Sequence, residues 1–312
     1  MKIIYSLNYQ IDLGGHIFPT EKYALIKERL LAEKTVRESD FLPSPEAKDE
    51  DILLVHSREY LDKLKNGTLS PEEILTLELP YSRELVDASR LCVGGTVLTA
   101  KTALSEKIAL HLGGGFHHAF KDHGEGFCVF NDVAIAIKVL ERDRGVNKFL
   151  IIDCDLHQGN GTAAIFSKDD NVFTFSIHQE NNYPAIKTPG SLDIALADGS
   201  GDKVYLEHLN KHIPEIIERF KPAFIFYLAG ADPYCKDQLG GLDLTKKGLL
   251  ARDELVFTQA RRQDIPLAVV LAGGYAVDLK DTVDIHFQTA RAAYRLLKEQ
   301  GKTVETKGGN NG

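Results

Sequence analysis

The sequence has no C-x-x-C pair: its four cysteines, Cys92, Cys128, Cys154 and Cys235, fall at irregular spacing. That argues against a disulfide framework and for reduced thiols in a cytoplasmic protein. Nor does any apolar run approach a membrane span, and the opening Met1–Ser6 run is too short for a signal segment; it reads as a first strand. An excess of basic charge is missing too. A net charge of −8 argues against binding to nucleic acid by phosphate neutralisation and favours a cationic ligand. Internal repeats and low-complexity linkers are absent, and only the Gly/Asn-rich end, 305–312, reads as a disordered tail. What remains, 1–304, is read as one domain of ordinary soluble composition, 43% hydrophobic and 26% charged.

Two rhythms run along the chain. Up to about residue 90 the pattern is mostly helical with loops: Tyr23, Ile26 and Leu30 recur at helical spacing, and Ser70-Pro71-Glu72-Glu73 is a helix start with a capping box. From residue 108 onward, short apolar runs rich in β-branched and aromatic residues alternate with helical stretches. The runs are Ile108–Leu112, Phe149–Ile152, Val172–Ile177, Ala223–Leu228 and Leu267–Leu271. Helices are expected at about 131–143, 159–167, 203–219, 245–263 and 280–298. Such alternation means βαβ units: an α/β fold with a mostly parallel sheet and helices on both faces.

In sheets of this kind ligands bind beyond the carboxyl ends of the strands, and here those ends carry the titratable residues. The first run leads into Gly113-Gly114-Gly115-Phe116-His117-His118, the second into Asp153-Cys154-Asp155-Leu156-His157-Gln158-Gly159-Asn160, and the third into His178. The last two lead into Ala229-Gly230-Ala231-Asp232 and Ala272-Gly273-Gly274-Tyr275. In extended chain, residues two apart share a face, so Asp155 and His157 can turn to one point where Asp232 arrives from another strand. Two carboxylates and an imidazole make a three-ligand set for a divalent metal with a position left for water; zinc, Fe²⁺ or Co²⁺ would each suit it. The glycine run before His117-His118 contains neither a P-loop nor a dinucleotide fingerprint. Beside a metal, one of these imidazoles can take a proton and the other can orient or steer charge, with Asp153 and Asn160 as natural partners to fix their tautomers. Tyr275 can donate to a carbonyl oxygen that gains charge.

Together these segments, with Gly126-Phe127-Cys128-Val129-Phe130-Asn131-Asp132 and Ser176-Ile177-His178, resemble the zinc-dependent histone deacetylase superfamily from about residue 5 to 298. The class IV branch is the most similar, through Asp155–Gly161, Leu239-Gly240-Gly241-Leu242 and Arg252–Phe257. The resemblance implies an arginase/deacetylase-like fold with its active site at the strand ends. It implies one Zn²⁺ on Asp155, His157 and Asp232, with His118 as principal base and acid and His117 as its electrostatic partner. Asp153 would hold His117, Asn160 would hold His118 where class I members use an Asp, and Tyr275 would polarise the scissile carbonyl. Gly126, Phe127, Tyr183 and Leu239 would form the acyl-lysine tunnel. A structural K⁺ is implied at Asp153, Asp155, His157, Ser176 and Ile177.

The expected activity is hydrolysis of the amide of acetyl- or acyl-lysine in a protein or peptide. A small-molecule amidohydrolase acting on acetylated polyamines is the second reading. It is disfavoured by Leu239, because polyamine deacetylases of the superfamily carry a Glu there and an apolar side chain offers a second ammonium nothing. A non-catalytic acyl-lysine binder is disfavoured because it would not need His118 or Tyr275, and a binuclear ureohydrolase needs more bridging carboxylates. Acyl length and oligomeric state are not set by any residue pattern, and Leu13–Pro19 is assigned to the rim of the site.

Overall fold

The computed structural model describes residues 1–308, the side chains of 297–308 excepted. Its strands are β1 (Lys2–Tyr5), β2 (Phe41–Pro43), β3 (Ile108–His111), β4 (Phe149–Asp153), β5 (Val172–Gln179), β6 (Leu192–Leu196), β7 (Phe224–Leu228) and β8 (Leu267–Val270). They form one sheet in the order β2-β1-β3-β8-β7-β4-β5-β6, every neighbouring pair parallel. The helices are α1 (Lys22–Ala32), α2 (Asp49–Ile52), α3 (Arg58–Asn66), α4 (Pro71–Leu77), α5 (Arg83–Glu106), α6 (Asp132–Arg144), α7 (Asn160–Phe166), α8 (Asp202–Phe220), α9 (Lys246–Arg262) and α10 (Leu279–Gly308).

Strand side chains alternate between the two faces, and the core divides accordingly. Ile3, Leu110, Leu150, Ile152, Ile225, Tyr227 and Val269 pack with residues of α1, α8, α9 and α10. Their neighbours Ile4, Ala109, Ile151, Phe226, Ala268 and Val270 pack on the other side with α3, α5 and α6. Both faces of the central strands are therefore apolar, and polar residues are confined to the strand ends. Register then fixes where those ends lie. Asp153 pairs with Leu228, Leu228 with Val270, and Val270 with His111, so β4, β7, β8 and β3 stop at one level.

The five runs from residue 108 become β3, β4, β5, β7 and β8, and the helices expected between them are α6 to α9. Two strands of the sheet carry no such signal. β2 is three residues long and ends in Pro43, and β6 carries Asp193 with little full burial; both are edge strands, where proline and charge are admitted because one side needs no partner. The last helix is longer than the composition suggests. Residues 305–308 of the expected tail belong to α10, and 309–312 lie outside the described residues. The capping box at Ser70 is formed, with Glu73 N–H donating to Ser70 Oγ and Ser70 N–H to Glu73.

β3 ends on the fully buried His111, whose Nε2 lies 2.7 Å from Tyr9 Oη and whose Nδ1 lies 2.9 Å from Thr96 Oγ1. Burial lowers its pKa to about 3. The unfolded chain, with an ordinary histidine near 6.5, therefore binds the proton first as pH falls, and stability contributed at this position is lost below about pH 6.5. Relative to His111→Gln, the wild type should lose about 2 kcal/mol of unfolding free energy between pH 7 and pH 5. Parallel urea titrations at the two pH values measure the difference, and equal losses in both proteins would contradict it.

Candidate active site

Each strand end at the common level contributes one loop. After β3, the chain turns through Gly113, Gly114 and Gly115, all at positive φ. The turn is held from behind by Asp132, the first residue of α6, which accepts from Gly115 N–H (3.0 Å), Phe116 N–H (2.8 Å) and Thr96 Oγ1 (2.5 Å). Gly114 is required here on two counts: its φ is +74°, and a Cβ would lie 2.6 Å from both Asp132 Oδ2 and Thr96 Oγ1. The turn delivers His117 and His118 side by side, their Nε2 atoms 3.1 Å apart. His117 Nδ1 faces Asp153 Oδ2 at 2.7 Å, and His118 Nδ1 faces Asn160 Oδ1 at 2.7 Å.

The loops after β4 and β7 bring Asp155, His157 and Asp232 together, with one ligand atom from each within 4.8 Å of the others. Backbone amides orient the carboxylates: Gly273 N–H donates to Asp155 Oδ2 at 2.8 Å, and Leu156 N–H to Asp232 Oδ1 at 3.0 Å. Asp232 Oδ2 is buried with no hydrogen-bond partner, although His157 Nδ1 stands 3.5 Å away; a carboxylate oxygen in that state gains from a facing cation. Burial and then the facing Asp155 charge push the Asp232 carboxyl up to about 7. The donor chemistry and the orphaned oxygen both fit a divalent cation.

The loop after β8 places Tyr275 across the same cavity. Asp237 fixes it by accepting from Tyr275 N–H at 2.7 Å and from Leu239 N–H at 2.9 Å. Its ring packs edge-on against Phe18 and Phe127. The cavity is lined by His117, His118, Asp155, His157 and Tyr275 and by Gly126, Phe127, Tyr183 and Leu239. All four residues read as tunnel residues therefore line one cavity. His16, in the Leu13–Pro19 segment, stands edge-on to Phe127, and Phe18 also lines the cavity.

A match to the histone deacetylase domain covers residues 16–290. The chain belongs to the histone deacetylase family. Among its relatives, an uncharacterised protein of Picosynechococcus sp. is 40% identical over 93% of this chain and 97% of that protein. Histone deacetylase 2 of Arabidopsis thaliana is 31% identical over 88% of this chain and 74% of its own length. The crystal structure of the HDA15 HD domain matches 95% of this chain and 90% of that domain at a TM-score of 0.76 and 23% identity, which establishes the arginase/deacetylase-like fold. The protein is thus a hydrolytic deacetylase of a zinc-dependent family.

Electrostatics divide the two histidines of this family site. Burial pulls both down, but the charges of Asp153 and Asp155 raise His117 to about 9. His118 is held well below its ordinary value by burial and then by the His117 and His157 charges. Tyr275 is pushed well above the ordinary phenol range by burial, Asp155 and Asp232, so it stays a donor. Of the residues named for K⁺, Asp153 pairs with Ser176 across adjacent strands, Ile177 follows on β5, and Asp155 and His157 lie in the loop after β4; Ser176 Oγ sits 2.9 Å from His178 Nδ1.

Several site residues have no local signal in the sequence. Asp132 closes the Gly126–Asp132 motif, and nothing in that motif points to its role behind the histidine turn. Asp237 and Glu125 sit in polar turns, and Glu78, at the αL end of α4, contributes a carboxylate to the cavity wall. Lys22 is the least expected: its ammonium is fully buried, donates to Ala272 O at 3.1 Å and lies 5.6 Å from the Tyr275 ring centre. No helix among the described residues is long and apolar enough to cross a membrane.

Asp132→Asn tests the anchoring of the histidine loop. An amide offers one acceptor oxygen where three donors now converge, so unfolding free energy should fall by about 2–3 kcal/mol. Turnover should fall with it, as the histidine loop loosens. A urea midpoint equal to the wild type's would remove Asp132 from this role.

Proposed function

We propose that the protein hydrolyses the amide of acetyl- or acyl-lysine, with Asp155, His157 and Asp232 holding one Zn²⁺. The observation that carries the reading is the buried three-donor set itself, in which Asp232 Oδ2 makes no hydrogen bond and stands 3.5 Å from His157 Nδ1, while Asp155 and His157 line the same cavity as two imidazoles and a phenol. An ion held there supplies Lewis acidity and lowers the pKa of water. The chain's own groups supply the rest. His118, with Nδ1 on Asn160 Oδ1, keeps Nε2, 3.1 Å from His117 Nε2, as the nitrogen that accepts the proton of the attacking water. His117, kept positive by Asp153, steers that proton and stabilises negative charge as it develops. Tyr275 Oη donates to the carbonyl oxygen as it gains charge. The proton gathered on the histidine pair then passes to the leaving amine.

The aromatic walls, Phe127 and Tyr183, support a narrow slot for an extended aliphatic chain such as the lysine stem. Leu239 argues against a second ammonium, while the Glu78 carboxylate on the same cavity favours a cationic or N–H-bearing carrier, which is the observation that keeps acetylated polyamines as a second reading. Likeness to the class IV branch, removal of longer acyl groups, a single catalytic domain and a structural K⁺ on the Asp153–Ser176 side belong to the same proposal.

Metal analysis should find about one Zn²⁺ per chain, and Asp232→Ala should lose it; two tightly held ions would overturn the assignment. Gly273→Ala should weaken metal binding without unfolding, since its Cβ would fall 2.1 Å from Asp232 Oδ2. Tyr275→Phe should lower kcat about tenfold or more, and unchanged turnover would take the phenol out of the reaction. Acetyl-lysine and myristoyl-lysine peptides should be turned over faster than acetylated spermidine by one preparation; the reverse order would transfer the assignment to polyamines.

A further inference from the structure

The hydrogen bonding around His118 extends one residue further than Asn160. Asn160 Nδ2 donates to Glu125 Oε1 at 2.7 Å, and the Tyr183 hydroxyl donates to the same oxygen at 2.8 Å. Glu125 itself is fixed by its backbone, which exchanges hydrogen bonds with Cys128 at 3.1 and 2.9 Å, and its second oxygen lies 3.4 Å from His123 Nε2.

An amide side chain can point either way, and an imidazole can carry its proton on either nitrogen; the surrounding donors and acceptors decide. An ionised carboxylate only accepts. Glu125 is partly buried, yet the hydrogen bonds from His123, Asn160 and Tyr183 hold its pKa below the usual value, so it stays ionised at neutral pH. It therefore draws the Asn160 NH₂ to itself, which turns Asn160 Oδ1 toward His118. That oxygen only accepts, so His118 Nδ1 must carry the proton and Nε2, 3.1 Å from His117 Nε2, is left as the acceptor. Without an acceptor at Glu125, Asn160 could turn its NH₂ to His118 Nδ1, and the proton would then sit on Nε2, where it blocks base catalysis.

We propose that Glu125 is a positioning residue that sets the His118 tautomer through Asn160 and, by the same carboxylate oxygen, holds the Tyr183 wall of the cavity. The proposal rests on His118 being the base. It gives an amide at position 160 a carboxylate behind it: the negative charge stands one hydrogen bond further from the imidazole instead of in contact with it. One consequence is a coupling between wall and base, since displacement of the Tyr183 ring disturbs the oxygen that orients Asn160.

The test is a charge exchange. Glu125→Ala should lower kcat about tenfold or more. Asn160→Asp alone should also lower it, because two carboxylates would meet where an N–H···O bond of 2.7 Å now lies. The double variant Glu125→Gln with Asn160→Asp should recover turnover to within about threefold of wild type. In it the amide introduced at position 125 can donate to the carboxylate introduced at position 160, which still accepts from His118. In the zinc-loaded enzyme, ¹⁵N NMR should find His118 protonated at Nδ1 in the wild type and in the double variant, and shifted toward the Nε2–H form in Glu125→Ala. An unchanged tautomer in Glu125→Ala, or a double variant no better than Asn160→Asp, would overturn the proposal. Full turnover by His118→Ala would instead overturn the base assignment on which it stands.

Discussion

Four carboxylates, Asp153, Asp155, Asp232 and Asp237, are packed against the end of one parallel sheet with at most 8% of their surface exposed. Taking that much like charge out of water is the constraint to which the neighbouring structure answers. Backbone amides from Asp155, Leu156, His157, Gly273, Tyr275 and Leu239 point at these oxygens. Imidazoles and a buried ammonium supply positive charge around them, and the oxygen left without a hydrogen bond, Asp232 Oδ2, stands 3.5 Å from His157 Nδ1. Glycines at 230 and 273 leave room for the Asp232 carboxylate, since a Cβ would fall 2.6 Å from Oδ1 at the first and 2.1 Å from Oδ2 at the second. Asp155, His157 and Asp232 at the centre of the site form a donor set that could hold a metal ion.

Much of this was legible in the sequence because the sheet is parallel and buried on both faces. Its central strands must then be apolar throughout, so a polar residue is pushed to the strand end, where register brings the ends together. Asp155, His157, Asp232, the histidine pair and Tyr275 each follow an apolar run for that reason. The edge strands β2 and β6 escape the rule because their outer sides meet no partner, so short or charged segments suffice. The end of α10 was not legible, because a Gly/Asn-rich composition says little about where a preceding helix stops.

The residues that support the site were harder to read. Asp132, Asp237 and Glu125 look like turn or cap residues from their neighbours in sequence, and locally they are. What distinguishes them is a partner far along the chain: Gly115, Tyr275, Asn160 and Tyr183 lie 17 to 58 residues away. Lys22 begins an amphipathic helix and reads as a solvated charge, although it ends beneath the Tyr275 ring. Strand-end residues announce themselves by local pattern, whereas the groups that orient them are defined only by tertiary contact.

The position of β8 between β3 and β7 has a consequence for how the molecule is made. It is the last strand in the chain and a central one in the sheet. During synthesis β3 and β7 leave the ribosome before the strand that joins them. Without β8 the strand order falls into two sets, β2-β1-β3 and β7-β4-β5-β6, in which β3 and β7 each lack the neighbour that β8 provides. Only β8 fills both places, and the loop after it carries Gly273 and Tyr275 to the carboxylates. The strand that joins the two sets and the loop that completes the site are therefore one continuous stretch of chain, and neither is in place without the other.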